Sequence, residues 1–251
     1  MAAEVASPKA TGGGGTAFEF VVQASFLATM LVKGRYPCLP PGTAEFVRLQ
    51  ARQANYHTDD VFVQLLAAGG EPHRLLVQIK SDCAFTEGDD DFRKTIAGAW
   101  QDFRNEEGFD RQRDALALAT GPGSAKAVKH FRPLLVRSRT SANSQEFFEK
   151  IATKKFTSDP TRTYLGTLGA ILGKEGLNGD EDPELWEFLK CLHWITYDFD
   201  SPSGLDRARV RGMLALGLAS SPPKDADTIW AELLEVATEY DPAAGTLTRQ
   251  S

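Results

Sequence analysis

The chain has 251 residues, of which 42% are hydrophobic and 25% charged, with a formal net charge of −6 and a pI near 5.3. That length is near the upper limit for one hydrophobic core, and no apolar run approaches the ~20 residues a membrane-spanning helix requires. The acidic balance excludes a protein that holds nucleic acid by overall charge, so a polyanionic substrate would need local basic patches or a bound cation.

The opening MAAEVASPKATGGGG (residues 1–15) lacks the basic start and apolar middle of a secretion signal and is expected to be a disordered leader. A cytoplasmic location is expected. From Thr16, Phe18, Val21, Val22, Phe26 and Met30 recur at near-helical spacing up to Gly34, which predicts a buried helix over 16–33. Pro40-Pro41-Gly42 interrupts regular structure, and FVRLQARQ (46–53) then alternates like a strand. VFVQLLAA (61–68) and RLLVQIK (74–80) flank the turn residues Gly69-Gly70-Glu71-Pro72, which predicts a hairpin.

In DFRKTIAGAWQDFRNEE (91–107), Phe92, Ile96, Trp100 and Phe103 fall on one helical face, expected to pack on the sheet. DALALATG (114–121) reads as a fourth, buried strand, and SAKAVKHFRPLLVRS (124–138) as a helix kinked or ended near Pro133. The order helix, three strands, helix, strand, helix is that of an α/β protein with a mixed sheet and helices on both faces. After residue 140 the pattern turns mainly helical, with a short strand expected in HWITYDFD (193–200). Three segments follow from this: a leader over 1–15, a core over 16–140 and a helical extension over 141–251, with a regulatory region expected beyond it. Cys38, Cys83 and Cys191 form no CxxC pair, so neither a zinc site nor a disulfide framework is indicated.

The chemistry-bearing segment is HTDDVFVQLLAAGGEPHRLLVQIKSD. A hairpin turn at GGEP places Asp60 opposite a residue between 78 and 81, and Gln78 and Lys80, two apart, project from the same face while Ile79 points the other way. A carboxylate, an amide oxygen and an ammonium thereby converge. Such a set suits phosphodiester hydrolysis: a hard divalent cation takes oxygen ligands, and the developing charge on phosphorus needs positive charge nearby. Asp60 and Gln78 would bind Mg²⁺ or Mn²⁺, and Lys80 would orient the attacking water. Asp59, its neighbour, should face the other side and ranks below Asp60 as a ligand. The plainer alternative is that the aspartates cap a strand and Lys80 reaches solvent.

TAFEF in the first helix, TDDVFV, LLVQIK, the helix containing AWQDF and the strand ending in ATG together resemble the PD-(D/E)xK nucleases. The resemblance is to the double-stranded DNA nuclease domain at the N-terminus of bacterial anti-phage effectors, such as those of CBASS systems and NACHT-type STAND ATPases. In motif terms it covers residues 12–140. It implies a restriction-endonuclease-like fold, Mg²⁺-dependent cleavage of double-stranded DNA, assembly into a homo-oligomer on activation, and a sensor or ATPase region in the same polypeptide. It also implies that Glu19 completes the metal site, although Thr16-x-x-Glu19 reads equally as a capping box. The departure is Gln78, where the wider superfamily often has Glu; the substitution removes one negative charge.

Arg93 and Lys94, and Lys126, Lys129 and Arg132 on the later helix, are candidates for contacts to the DNA backbone. His57 lies near the acidic pair. A serine or cysteine hydrolase lacks support, since no GxSxG is present and the close pair Cys191 and His193 sits in an apolar stretch. A non-catalytic recruiting module with a nuclease-like fold is the alternative from a different class.

Overall fold

The computed structural model describes residues 13–51, 55–179, 181–199, 201, 204–218 and 225–248. Most of the leader, residues 1–12, and Arg52 and Gln53 of the first expected strand lie outside the described residues.

The strand-forming runs pair into one six-stranded sheet: β1 (Gly42–Leu49), β2 (Val61–Ala67), β3 (Pro72–Lys80), β4 (Ala115–Thr120), β5 (Leu192–Thr196) and β6 (Thr246–Thr248). Their order across it is β5-β4-β3-β2-β1-β6. β6, β1, β2 and β3 run antiparallel to their neighbours, whereas β3, β4 and β5 run parallel. The predicted hairpin forms, with Leu66 opposite Pro72 and Val61 opposite Val77. Gly70 closes it at a φ of 85°, a conformation that side chains disfavour, and the Ala67 N–H donates to the Glu71 carbonyl at 3.0 Å.

Alternation along the strands divides the core between the two sheet faces. Val61, Val63, Leu65, Leu75, Val77, Ile79, Ala115, Ala117 and Ala119 lie in one apolar cluster with side chains of α1 (Gly13–Leu31), α7 (Leu205–Gly217) and α8 (Ala226–Tyr240). Phe62, Leu76, Leu116 and Leu118 lie in the other, under α2 (Asp90–Arg104), α3 (Ala125–Thr140), α4 (Ser144–Ala152), α5 (Asp159–Gly173) and α6 (Pro183–Cys191). The α2 stripe of Phe92, Ile96, Trp100 and Phe103 is at most 1% exposed, and each such side chain contributes about 1.5–3 kcal/mol by leaving water. Asp89 caps this helix by accepting the N–H groups of Asp91 and Phe92.

Three features differ from the sequence reading. Of the two outcomes expected at Pro133, α3 does not end there but continues to Thr140, because Phe131, Leu134 and Leu135 are fixed in the core on both sides of the proline and their burial outweighs the ~3 kcal/mol proline penalty. The sheet also draws on residues beyond 140: the short strand expected in HWITYDFD forms as β5 and joins the core sheet beside β4, and the three-residue β6 extends the sheet beside β1. Neither strand is long enough to announce its partner by periodicity. Finally, α1 begins at Gly13, earlier than the predicted start at Thr16. No helix among the described residues is long and apolar enough to cross a membrane.

Candidate metal centre at the end of the hairpin

Extending the hairpin ladder one step past Val61 and Val77 sets Asp60 beside Gln78. Asp60 Oδ2 accepts the Gln78 amide at 2.5 Å and the Ile79 N–H at 2.6 Å. Both side chains are buried, at 6% and 8% exposure. Lys80, half-buried, follows at the end of β3 on the same face as Gln78 and opposite Thr120 of β4. The structure therefore brings Asp60, Gln78 and Lys80 together, with one difference. Gln78 turns its amide nitrogen rather than its oxygen toward Asp60, so a ligand role for Oε1 requires a half-turn of the amide, which exchanges the two atoms.

The segment leading into β2 is held from two sides. Asp102 of α2, 1% exposed, accepts the N–H groups of His57 at 2.8 Å and Thr58 at 2.7 Å. The Ala51 N–H donates to the Asp59 carbonyl at 2.5 Å and the Gln50 N–H to the Asp60 carbonyl at 3.3 Å. The aspartate pair is thus fixed by an acidic residue within AWQDF that the sequence reading had placed only in a packing helix. His57 contributes its backbone here.

Glu19 approaches from α1, on the opposite side of the sheet. It does not act as the capping partner of Thr16: the helix already runs from Gly13, which leaves Thr16 inside it. Instead Glu19 Oε1 accepts the amides of Gln23 at 3.4 Å and Gln50 at 2.9 Å. The Gln23 amide also donates to the Asp60 carbonyl at 3.2 Å and to Asp241 Oδ1 at 2.6 Å, so a single fully buried side chain ties Glu19 to the backbone of Asp60. Burial, reinforced by the negative charges of Asp60 and Asp241, pushes the Glu19 carboxyl up to about 8. Burial likewise pushes Asp60 up to about 7, against the lowering effects of the Ile79 N–H and the Lys80 ammonium. Asp59 raises both through its charge.

Crowded, poorly hydrated carboxylates that resist ionisation are what a cation would relieve. Glu19, Asp60 and the Gln78 amide offer only oxygen donors, which suits Mg²⁺ or Mn²⁺ rather than a softer metal. Among the described residues, no three His, Cys, Asp or Glu side chains are arranged to hold a metal ion. The expected set has two carboxylates and one amide, so the fit rests on donor chemistry and electrostatics.

The five basic candidates divide. Arg132 stacks over Trp194, 4.9 Å from the ring centroid, and donates to Thr196 Oγ1 at 3.1 Å. Arg93 pairs with Asp90 at 2.7 Å. Lys94, Lys126 and Lys129 are exposed, with Lys126 6.0 Å from the Tyr164 ring. The N-termini of α2 and α3 follow the carboxyl ends of β3 and β4, the sheet edge that carries Lys80. Burial pushes the Cys191 thiol up to about 12 and the His193 imidazole down to about 4, the reverse of what a nucleophile and a base require in concert.

Gln23, Gln50 and Asp241 were not read from the sequence. Gln23 is one helical turn beyond Glu19 and was accessible by spacing; Asp241 is 218 residues from Gln23 and had no local signal.

No protein-family model and no curated protein matches the sequence. Among solved structures, the chain is similar to the Acinetobacter baumannii Cap4 SAVED/CARF-domain containing receptor with the cyclic trinucleotide 3'3'3'-cAAA, at a TM-score of 0.48 and 11% identity over 99% of this chain and 46% of that one. It is also similar to the Moraxella osloensis Cap4 receptor, at a TM-score of 0.47 and 12% identity over 93% of this chain and 45% of that one. The chain spans less than half the length of these structures, and the likeness concerns the course of the chain alone.

Proposed function

We propose that this chain is a divalent-metal-dependent endonuclease acting on double-stranded DNA, the effector segment of a bacterial anti-phage defence protein. The observation that carries the reading is the convergence of Asp60, Gln78 and Lys80 at the end of the hairpin, with Glu19 within electrostatic reach. The resemblance of TDDVFV and LLVQIK to the PD-(D/E)xK motifs supports the same reading, and the place in defence rests on that resemblance. Glu19, Asp60 and, with its amide turned, Gln78 would hold Mg²⁺, which when bound would supply positive charge to the scissile phosphate. Lys80 hydrogen-bonds the attacking water and offsets charge on the phosphate as the P–O bond breaks. Lys94, Lys126 and Lys129 contact backbone phosphates nearby.

The test is cleavage of supercoiled plasmid in Mg²⁺ by the wild-type chain and by Lys80→Ala. A residue acting in the transition state lowers the rate far more than DNA binding, by about 10²–10⁴-fold for a group that assists proton transfer. Wild-type cleavage by a folded Lys80→Ala protein would refute the assignment.

A further inference from the structure

We propose that Gln23, Gln50 and Asp241 form a positioning clamp that orients Glu19 toward the metal, so that the C-terminal α8–β6 segment completes the site; the inference rests on the reading under Proposed function. Asp241 Oδ1 accepts two side-chain amides, Gln23 at 2.6 Å and Gln50 at 2.9 Å. The same two amides donate to Glu19 Oε1. Two NH₂ groups therefore sit between two carboxylates that would otherwise repel each other, and they fix one oxygen of Glu19 while the other remains to meet a cation.

Two departures from ordinary packing accompany this arrangement. Gln23 is fully buried, yet its Oε1 has no hydrogen-bond partner among the described residues; its amide is turned so that the nitrogen faces Glu19, Asp241 and the Asp60 carbonyl. Gln50 holds a φ of 53°, in the left-handed region, a conformation that costs a residue with a side chain and tends to persist where the surroundings demand it. Both features serve the same pair of carboxylates. Asp241 in turn is held by the fold on both sides: α8 packs against α1, the Asp241 N–H donates to Ala237, and the Gly245 carbonyl accepts the Leu49 N–H at 3.0 Å, one residue from Gln50. Beyond that point β6 pairs with β1, with Leu247 opposite Val47.

Residues that orient a metal ligand typically change affinity 10–100-fold when lost. The experiment is calorimetric titration of Mn²⁺ into the wild type, Asp241→Ala, Asp241→Asn and Gln50→Ala, with circular dichroism to verify folding. Asp241→Ala and Gln50→Ala should weaken Mn²⁺ binding by about tenfold or more. Asp241→Asn keeps an oxygen that accepts both amides and should stay within about threefold of wild type, an outcome that a general loss of packing would not produce. Wild-type affinity in folded Asp241→Ala and Gln50→Ala would overturn the clamp alone. An equal loss in Asp241→Asn and Asp241→Ala would also overturn it, by making Asp241 a direct ligand. Absence of Mn²⁺ binding in the wild type would overturn the metal reading itself and the clamp with it.

Discussion

At Glu19 the sheet edge, α1 and α8 press acidic groups together, and the consequence is a measurable pH dependence. The Glu19 carboxyl moves from 4.5 to about 8 and Asp60 from 3.8 to about 7 on folding. Both values are raised, so between the free and folded values the native state binds more protons than the unfolded state, and stability falls as pH rises. The contribution is fully present below about pH 4 and lost by about pH 8. His193, lowered to about 4, acts in the opposite sense below pH 6.5, so the comparison that isolates Glu19 is wild type against Glu19→Gln. The variant should gain in thermal stability relative to wild type as pH rises from 5 to 8 in EDTA, each kcal/mol raising Tm by roughly 2–4 °C in a chain of this size. A constant Tm difference across that range would contradict the raised pKa. Divalent cation should narrow the difference at pH 8, where it competes with fewer protons.

Among the elements, the β2–β3 hairpin was the most legible part of the sequence. GGEP fixed the turn, and alternation fixed which residues share a face, so the step from Val61 opposite Val77 to Asp60 beside Gln78 follows without side-chain detail. The Gln78 amide orientation was not legible, because nitrogen and oxygen occupy the same place in the sequence pattern and only the carboxylate opposite chooses between them. The clamp on the aspartate pair was also hidden: Asp102 looked like a polar position on an amphipathic helix, yet it is buried and accepts two N–H groups from the loop before β2. Replacing Asp102 with Ala leaves the buried Thr58 N–H unpaired, at a cost of about 1–3 kcal/mol. Calorimetry should show Tm lowered accordingly, by roughly 2–4 °C per kcal/mol. An unchanged Tm would mean that the loop is held by its β1 contacts alone.

For the whole molecule, the expected layering of helices on both faces of a mixed sheet is present; the short strand expected in HWITYDFD forms as β5, while its place beside β4 and the whole of β6 were hidden because their pairing is decided by tertiary contact. The same limit hid Asp241. A net charge of −6 bears on activity as well: a single copy has little general attraction to a polyanion and should bind DNA weakly at physiological salt. Cutting both strands is also easier for two sites held side by side than for one that must rebind. Fusion to an unrelated tetramerising coiled coil should therefore raise plasmid linearisation relative to nicking. Equal specific activity with and without the fusion would refute clustering as the switch.

Metal binding by Asp60 at the end of the hairpin can be measured directly, without any need for the activating signal. Calorimetric titration of Mn²⁺ compares the wild type with Asp60→Ala and Asp59→Ala, each verified as folded. The wild type should show a site that Asp60→Ala abolishes and Asp59→Ala weakens less, because the carboxylate of Asp60 is the one that meets Gln78 and the Ile79 N–H. Unchanged binding in Asp60→Ala, or a greater loss in Asp59→Ala, would contradict metal binding by Asp60.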